Sequence, residues 1–223
     1  MIDKKDYSLL KHNTFGIEAK CKRFIEFSTV DEAVEVAKML TEADQPLLIL
    51  GGGSNLLLTK DYEGTVVHSA ISYIKKVDNC RVCCGSGYVF DDLVAYCVEH
   101  QLYGAENLSI IPGEVGASAV QNIGAYGVEA KDFIEDVEAV ELATGKVVHF
   151  KNEDCQYSYR QSKFKQAWRD KYLITSVTYR FSTTYEPKLD YGNIRSALVS
   201  KGITDPTANQ LREVIIEVRN AKL

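Results

Sequence analysis

Hydrophobic and polar positions along the first hundred residues follow helical and strand spacing in turn. Residues 29–43 carry apolar side chains three to four positions apart behind Thr29, which is typical of the start of an amphipathic helix. The apolar run at 47–50 predicts a buried strand, and residues 88–102 repeat the helical spacing with two aspartates near the N-terminal end. Further strands are predicted at about 64–69, 71–77 and 80–84.

The second half of the chain adds a hairpin, a long strand and a terminal helix. Residues 133–150 form two β-rich arms around the Thr-Gly pair at 144–145, which predicts a hairpin turn. Residues 171–182 are rich in β-branched and aromatic side chains, so they predict a strand. Residues 206–223 return to helical spacing behind Pro206.

The order of these elements favours an α+β chain of two subdomains, which we place at residues 1–72 and 73–223. With 223 residues the chain can bury a substantial core. Hydrophobic residues make up 45% and charged residues 26%, which is typical of a soluble globular protein. Because no apolar run approaches the roughly 20 residues that a spanning helix needs, we expect no membrane partner.

Charge and the N-terminal sequence narrow the setting further. The formal net charge is -5 and no basic cluster occurs, which argues against a nucleic-acid partner but not against a small anionic ligand. The first residues lack the apolar stretch of a secretory signal, so we expect a cytoplasmic protein. The sequence does not specify an oligomeric state.

The cysteines and histidines predict no metal site. A closed zinc site needs four ligands, usually in two pairs, and the cluster of Cys80, Cys83 and Cys84 has no second pair at matching spacing. Free cysteines on a strand behave as small apolar residues in a reducing compartment. The histidines show no spacing typical of a metal site or a catalytic triad, and they lie at positions 12, 68, 100 and 149.

Three consecutive glycines interrupt the apolar sequence LLILGGGSNLLL at residues 47–58. Glycines after a strand can let several backbone amides converge on a phosphate. The dinucleotide-binding pattern G-x-G-x-x-G fails because Leu56 occupies its third glycine position, and no Gly-Lys-Ser/Thr follows as a Walker loop requires. A different phosphate loop and a tight turn between two buried strands both remain open.

Residues 108–129 combine four glycines and three alanines with little periodicity. Such a segment supplies little hydrophobic core, although strands and helices flank it. A large flat ligand would explain it, since small residues let the backbone approach a ring system closely. The alternative is a tightly packed helix contact or a long ordered turn.

Five motifs occur together along the chain. They are NTFG at 13–16, LGGGSNLL at 50–57, IPGEVGASAVQNIGAYGVE at 111–129, YSYRQSKFK at 157–165 and DYGNI at 190–194. In this order they strongly resemble the UDP-N-acetylenolpyruvoylglucosamine reductases, FAD enzymes of bacterial peptidoglycan precursor synthesis. The resemblance covers essentially the whole chain and implies the two-subdomain FAD-binding fold of the vanillyl-alcohol-oxidase (PCMH) type. The last motif looks like the tyrosine loop of type I enzymes.

The resemblance implies a non-covalently bound FAD. Its pyrophosphate would lie on the glycine loop, defined here as Gly51, Gly52, Gly53, Ser54 and Asn55. Its isoalloxazine and linker would run along Ile111, Pro112, Gly113, Gly116, Ala117, Ser118, Asn122, Gly124, Ala125 and Val128. Covalent attachment is not expected, because Asn55 stands where related oxidases often carry the attached histidine.

The implied reaction is reduction of the enolpyruvyl double bond of a UDP-sugar, with NADPH as the reductant of the flavin. Arg160 matches the family's arginine at the substrate carboxylate, and a guanidinium can bind a carboxylate through two parallel donors. Tyr126 and Tyr191 resemble residues that contact the sugar and its diphosphate. Arg219 and Lys222 resemble a pair near the diphosphate, for which a solvated helix end is the alternative.

Members of the family continue into a third domain, which supplies the serine that protonates the intermediate and a glutamate near the C-terminus. This chain contains no match to either motif, so we expect an FAD-binding fragment with impaired catalysis. A natural two-domain relative is the alternative. Two other functions remain open, namely another flavin oxidase or dehydrogenase of the same superfamily and a non-catalytic nucleotide-binding module.

Overall fold

The computed structural model describes residues 1–221, which form two main sheets, a small two-stranded sheet and five α-helices. The strands are β1 (Ile2–Ser8), β2 (Lys20–Phe27), β3 (Leu47–Leu50), β4 (Tyr62–Ser69), β5 (Ile74–Lys76), β6 (Arg81–Gly85), β7 (Gly124–Ala125), β8 (Val128–Glu129), β9 (Ile134–Glu141), β10 (Val147–Lys151) and β11 (Tyr172–Arg180). The helices are α1 (Val30–Met39), α2 (Phe90–Glu99), α3 (Val115–Gln121), α4 (Ile194–Ser200) and α5 (Ala208–Asn220).

The first sheet has the strand order β1-β2-β4-β3. β1 and β2 are antiparallel, whereas β2 and β3 each run parallel to β4. Successive side chains of a strand point to opposite faces, so Phe24 and Val66 pack on one face and Ile25 and Val67 on the other. The second of these faces is covered by α1, which begins at the N-cap Thr29.

The second sheet has the order β10-β9-β11-β6-β5, and all of its paired strands are antiparallel. The largest hydrophobic cluster of the described chain packs against it and includes Leu93 of α2, Ala119 of α3 and Val137 of β9. Tyr179 of β11 belongs to the same cluster and is only 1% exposed. α2 and α3 are therefore held by burial against this sheet.

A half-buried ion pair connects helix α5 to α2. Arg212 donates two hydrogen bonds to Asp91 of α2, at 2.7 and 2.9 Å. Asp91 Oδ1 also accepts from the Ile110 N–H at 2.6 Å. One carboxylate therefore fixes the position of α5 and of the chain that leads into residues 111–113.

Most of the periodic elements predicted from the sequence are confirmed. The strand at 47–50, the hairpin of β9 and β10 and the long strand β11 occur where expected, and α1, α2 and α5 lie within their predicted segments. The sequence patterns did not reveal β1, β2 or α4. The segment 108–129, which shows no periodicity, contains the short helix α3.

Two further expectations concern the subdomains and the thiols. The strands of the first main sheet end at Ser69 and those of the second begin at Ile74, while the boundary between residues 72 and 73 stays a prediction. All six cysteines are free, and four of them are buried. Within residues 1–221, no helix combines the length and apolar character needed to cross a bilayer.

Candidate cofactor site

A cleft of about 420 Å³ lies between the two main sheets. Its lining combines the glycine loop, the end of β3, part of α3 and residues 164–174. Ser69, at the end of β4, and Ser86, just after β6, share a hydroxyl hydrogen bond of 2.6 Å and both line the cleft. The two halves of the molecule therefore each supply part of the same cavity.

The backbone of the glycine loop is fixed by the NTFG motif. Gly53 has a φ of +64°, and a Cβ added to it would lie 2.0 Å from the His12 carbonyl oxygen. The Thr14 N–H donates to the Gly53 carbonyl oxygen at 3.3 Å. Asn13 is buried, and its amide donates to the carbonyl oxygens of Leu9 and Ile17. Only glycine therefore fits the loop at position 53.

The glycine loop and the segment around α3 touch each other directly. The Ser54 hydroxyl donates to the Pro112 carbonyl oxygen at 3.1 Å, and the Asn55 amide donates to Gln121 Oε1 at 3.2 Å. A Cβ added to Gly51 would lie 3.2 Å from Cβ of Ala117. The two side-chain-poor motifs are thus neighbours along one edge of the cleft.

A line of charged groups runs behind the glycine loop. His68 Nε2 lies 3.2 Å from Glu114 Oε1, and His68 Nδ1 lies 2.9 Å from Glu26 Oε2. Burial opposes the charged imidazole, but hydrogen bonds with Glu114 and Glu26 outweigh it and raise the pKa of His68. The Glu114 carboxylate lies beside Gly51 and Gly52, so a positive His68 offsets its charge where a phosphate is expected.

Seven of the expected cofactor residues line the cleft: Gly51, Gly52, Gly53, Ser54, Asn55, Gly116 and Ala117. The side chains of four others are buried in protein: Ile111, Ser118, Asn122 and Val128. The Ser118 hydroxyl bonds to the Val115 carbonyl oxygen and to the Tyr179 hydroxyl. The Asn122 amide donates to Ser158, and its oxygen accepts from the Lys131 N–H. These polar groups orient α3 and the turn after it. The remaining four lie outside the lining of the cleft: Pro112, Gly113, Gly124 and Ala125.

The residues expected at the substrate meet around the turn at 124–127. Arg160 is exposed, has a φ of +55°, and donates from Nη2 to the Gly124 carbonyl oxygen at 2.7 Å. The rings of Tyr126 and Tyr191 meet edge to face, with centroids 6.3 Å apart. The structure therefore brings Arg160 and both tyrosines to one turn that follows directly from α3.

Arg219 lies on α5, half-buried, and its Nε has no hydrogen-bond partner among the described residues. Its positive charge is one of the influences that lower the pKa of Asp91. Lys222, predicted as its companion, lies outside the described residues, so the pairing of the two stays a prediction.

One wall of the cleft, formed by residues 164–174, was not predicted from the sequence. Phe164, Trp168 and Tyr172 form an aromatic cluster that lines the cleft together with Lys165, Arg169 and Asp170. The available signal was the group of aromatic and basic residues at 163–172, which begins within the YSYRQSKFK motif. An aromatic surface with flanking cations is suited to a planar, anionic ligand.

The chain is similar in sequence to FAD-binding proteins. A family model described as an FAD binding domain matches residues 21–151. The UDP-N-acetylenolpyruvoylglucosamine reductase of Bacteroides fragilis is 48% identical over 97% of the chain, and that of Porphyromonas gingivalis is 42% identical over 99%. The chain spans 65% of the length of the first relative and 66% of the second.

Solved structures show the same fold. One match is the crystal structure of the Thermus caldophilus UDP-N-acetylenolpyruvylglucosamine reductase, with a TM-score of 0.67 at 23% identity. The match covers 99% of this chain and 68% of the Thermus chain. p-Cresol methylhydroxylase has a TM-score of 0.53 at 17% identity, covering 81% of the chain and 41% of its own. The expected FAD-binding fold of the vanillyl-alcohol-oxidase type is confirmed by these neighbours and the family match. The chain belongs to the family of FAD-binding domains.

Proposed function

We propose that the chain binds FAD non-covalently in the cleft between the two main sheets. The observation that supports this most strongly is the direct contact between the glycine loop and the segment around α3. The backbone amides of residues 51–55 would hold the pyrophosphate, and the small residues Gly116 and Ala117 would let the ring system approach the chain. A cavity of about 420 Å³ is within the range of cofactor sites.

The bound cofactor would supply hydride transfer, with NADPH as its reductant, and the substrate would be UDP-N-acetylglucosamine enolpyruvate, as the names of the relatives suggest. Arg160 would hold the substrate carboxylate, where negative charge develops during reduction. Tyr126 and Tyr191 would contact the sugar and its diphosphate. Such an enzyme would act in the cytoplasm, in peptidoglycan precursor synthesis.

The 223 residues contain no match to the proton-donating serine or to the glutamate of the family's third domain. We therefore propose that this polypeptide, assayed by itself, binds FAD and reduces the enolpyruvyl substrate poorly. Turnover at a rate typical of the family would contradict this part of the proposal and leave the cofactor site unaffected.

The proposal is tested by the visible absorption spectrum of the purified chain, before and after incubation with FAD. We expect a flavin spectrum, release of the chromophore by acid, and a mass equal to that of FAD. Ala117→Phe places a ring in the cleft and should abolish binding, whereas Ala43→Phe changes an exposed residue and should not. A chain that stays colourless after reconstitution would favour a nucleotide-binding module of another kind.

A second measurement separates this reductase from other flavoenzymes of the superfamily. Under anaerobic conditions, NADPH should bleach the flavin absorbance of the reconstituted chain. Bleaching by an alcohol, amine or phenol instead of NADPH would favour an oxidase or dehydrogenase of the same fold.

A further inference from the structure

Two histidines and a glutamate converge beneath the glycine loop. One ligand atom each from His12, Glu26 and His68 lies within 4.8 Å of the other two. His12 ends a 3-10 turn that precedes β2, Glu26 lies on β2, and His68 lies on the neighbouring strand β4. Spacing along the sequence could not reveal this group, because the strand pairing Glu26–His68 brings its members together.

The donor set matches a divalent transition-metal site. Two imidazoles and one carboxylate form a ligand set known for zinc, with a fourth position left for water. The side chain of His68 is only 11% exposed and that of Glu26 19%. Two of the three proposed ligand side chains are therefore largely shielded from bulk water.

The surroundings orient the ligands as metal sites require. Glu114 Oε1 lies 3.2 Å from His68 Nε2, so it can accept that N–H and leave Nδ1 facing Glu26. A carboxylate behind a ligating histidine is the usual outer-shell arrangement in such sites. His12 lies outside the hydrogen-bond network of His68 with the two glutamates. Its Nε2 lies 3.3 Å from the Tyr7 hydroxyl, and its ring meets the ring of His68 edge-on with the centroids 5.3 Å apart.

We propose that His12, Glu26 and His68 bind one divalent transition-metal ion of the Zn²⁺ type. The ion takes the place of the proton shared by His68 Nδ1 and Glu26, and that proton passes to solvent. Two contacts connect the site to the glycine loop. The His12 carbonyl oxygen packs against Gly53, and Glu114 lies beside Gly51. A bound metal ion would therefore restrict the motion of the glycine loop.

The test is titration of the chelator-treated 223-residue chain with Co²⁺ and Zn²⁺. We expect one equivalent of Co²⁺ to bind, with d–d absorption bands at wavelengths longer than the flavin absorbs. His12→Ala and Glu26→Gln should each weaken binding at least tenfold. His100→Ala is the matched control, since His100 is exposed and bonds to Tyr96 of its own helix, and it should bind as the unsubstituted chain does.

Thermal melting supplies the second readout. Zn²⁺ should raise the melting temperature of the unsubstituted chain and of His100→Ala, and not that of Glu26→Gln. Because glutamine has nearly the size of glutamate, Glu26→Gln keeps the test valid if His12→Ala fails to fold. Unchanged affinity in the His12 and Glu26 variants, or no binding of Co²⁺ by the unsubstituted chain, would overturn the proposal. Loss of binding in His149→Ala alone would also overturn it, because the ion would then lie on the exposed pair His149 and Asp136.

Discussion

The glycine loop and the tyrosine pair, Tyr126 with Tyr191, lie at two ends of the segment that contains α3, and they are held in opposite ways. At the glycine loop, backbone packs on backbone, and the space for a Cβ on Gly53 is already filled by the His12 carbonyl oxygen. At the other end, Tyr191 is 59% exposed, and its ring meets the ring of Tyr126 edge to face. Rigidity is therefore concentrated at the first end.

The difference suggests a division of roles. A cofactor that stays bound benefits from a site whose shape exists beforehand, because little ordering is then needed on binding. A substrate that must enter and leave is better served by exposed side chains that can move. Substitutions at the glycine loop should therefore affect folding first, whereas those at the tyrosine pair should affect ligand binding first.

The largest effect is expected for Gly53→Ala. The added Cβ clashes with the His12 carbonyl oxygen, and φ is +64°, so we expect a loss of about 3 kcal/mol or more in the free energy of unfolding. Gly16→Ala is a matched control with a φ of +62° and no atom within 4 Å of the new Cβ. It should cost about 1 kcal/mol. Equal losses for the two variants in urea unfolding would show that the loop is not held by backbone packing.

The next effect concerns Asp91, which accepts hydrogen bonds from the Ile110 N–H and from Arg212 of α5. Burial would raise the pKa of Asp91, but the hydrogen bonds from Arg212 and from the Ile110 N–H outweigh it, so the pKa is lowered. Because the folded pKa is the lower one, the stabilisation is present above the ordinary pKa of 3.8 and is lost as the pH falls through the folded value.

We expect Asp91→Asn to lower the free energy of unfolding by about 2 kcal/mol at neutral pH, with the deficit shrinking in acid. Arg195→Ala removes the exposed partner of Asp190 and should stay within about 0.5 kcal/mol of the unsubstituted chain. Denaturation followed at several pH values measures both. A deficit for Asp91→Asn that does not depend on pH would argue against the ion pair as its cause.

A smaller effect on folding is expected at the exposed end. Tyr191→Ala should change the free energy of unfolding by less than about 1 kcal/mol, because the ring is largely in solvent already. Binding of the UDP-sugar, measured by calorimetry on the FAD-loaded chain, should weaken at least tenfold if Tyr191 contacts it. Tyr191→Phe keeps the ring contact and isolates the hydroxyl. A strong loss of stability would place Tyr191 with the rigid end instead.

An effect of opposite sign is expected for Glu106→Gln, in the turn that supports the tyrosine pair. The neighbouring Asn107 amide donates to the carbonyl oxygens of Tyr126 and Lys188. Glu106 is 3% exposed, and burial raises its pKa, so its carboxylate is destabilised in the folded chain. Stability is therefore full below the ordinary pKa of 4.5 and decreases as the pH rises toward the folded value.

Glutamine keeps the oxygen that accepts from the Gly104 N–H and carries no charge. We expect it to raise the free energy of unfolding by about 1 kcal/mol at pH 7 and to flatten the pH dependence. Destabilisation measured by urea unfolding at pH 7 would indicate that the carboxylate has a favourable partner.

Elements with strong periodicity were predictable, and so was the glycine loop. α1 and α2 carry apolar faces that only a helix can bury together, and the strand at 47–50 is uniformly apolar because both of its neighbouring layers are protein. Of the three glycines, Gly53 occupies a position that no other residue tolerates, because its φ is +64° and the His12 carbonyl oxygen fills the space for a Cβ. The resemblance then connected them to residues 111–129, which the structure places alongside.

The missed elements depend on tertiary contacts. β1 is mostly exposed and polar, and it becomes a strand only by pairing with β2. α3 consists largely of small residues without an apolar face, and its place is set by packing and by the bond from Ser118 to Tyr179. The group of His12, Glu26 and His68 arises from strand register, which single-sequence periodicity does not encode.

The hydroxyl pair of Ser69 and Ser86 has a consequence for how the protein melts. It joins the two sheets at the floor of the cleft, and whatever fills the cleft adds contacts to both sheets at once. A ligand that contacts both sheets stabilises them jointly, so the two halves of the ligand-bound chain should unfold together in one calorimetric transition. Without the ligand, one half of the chain can unfold before the other.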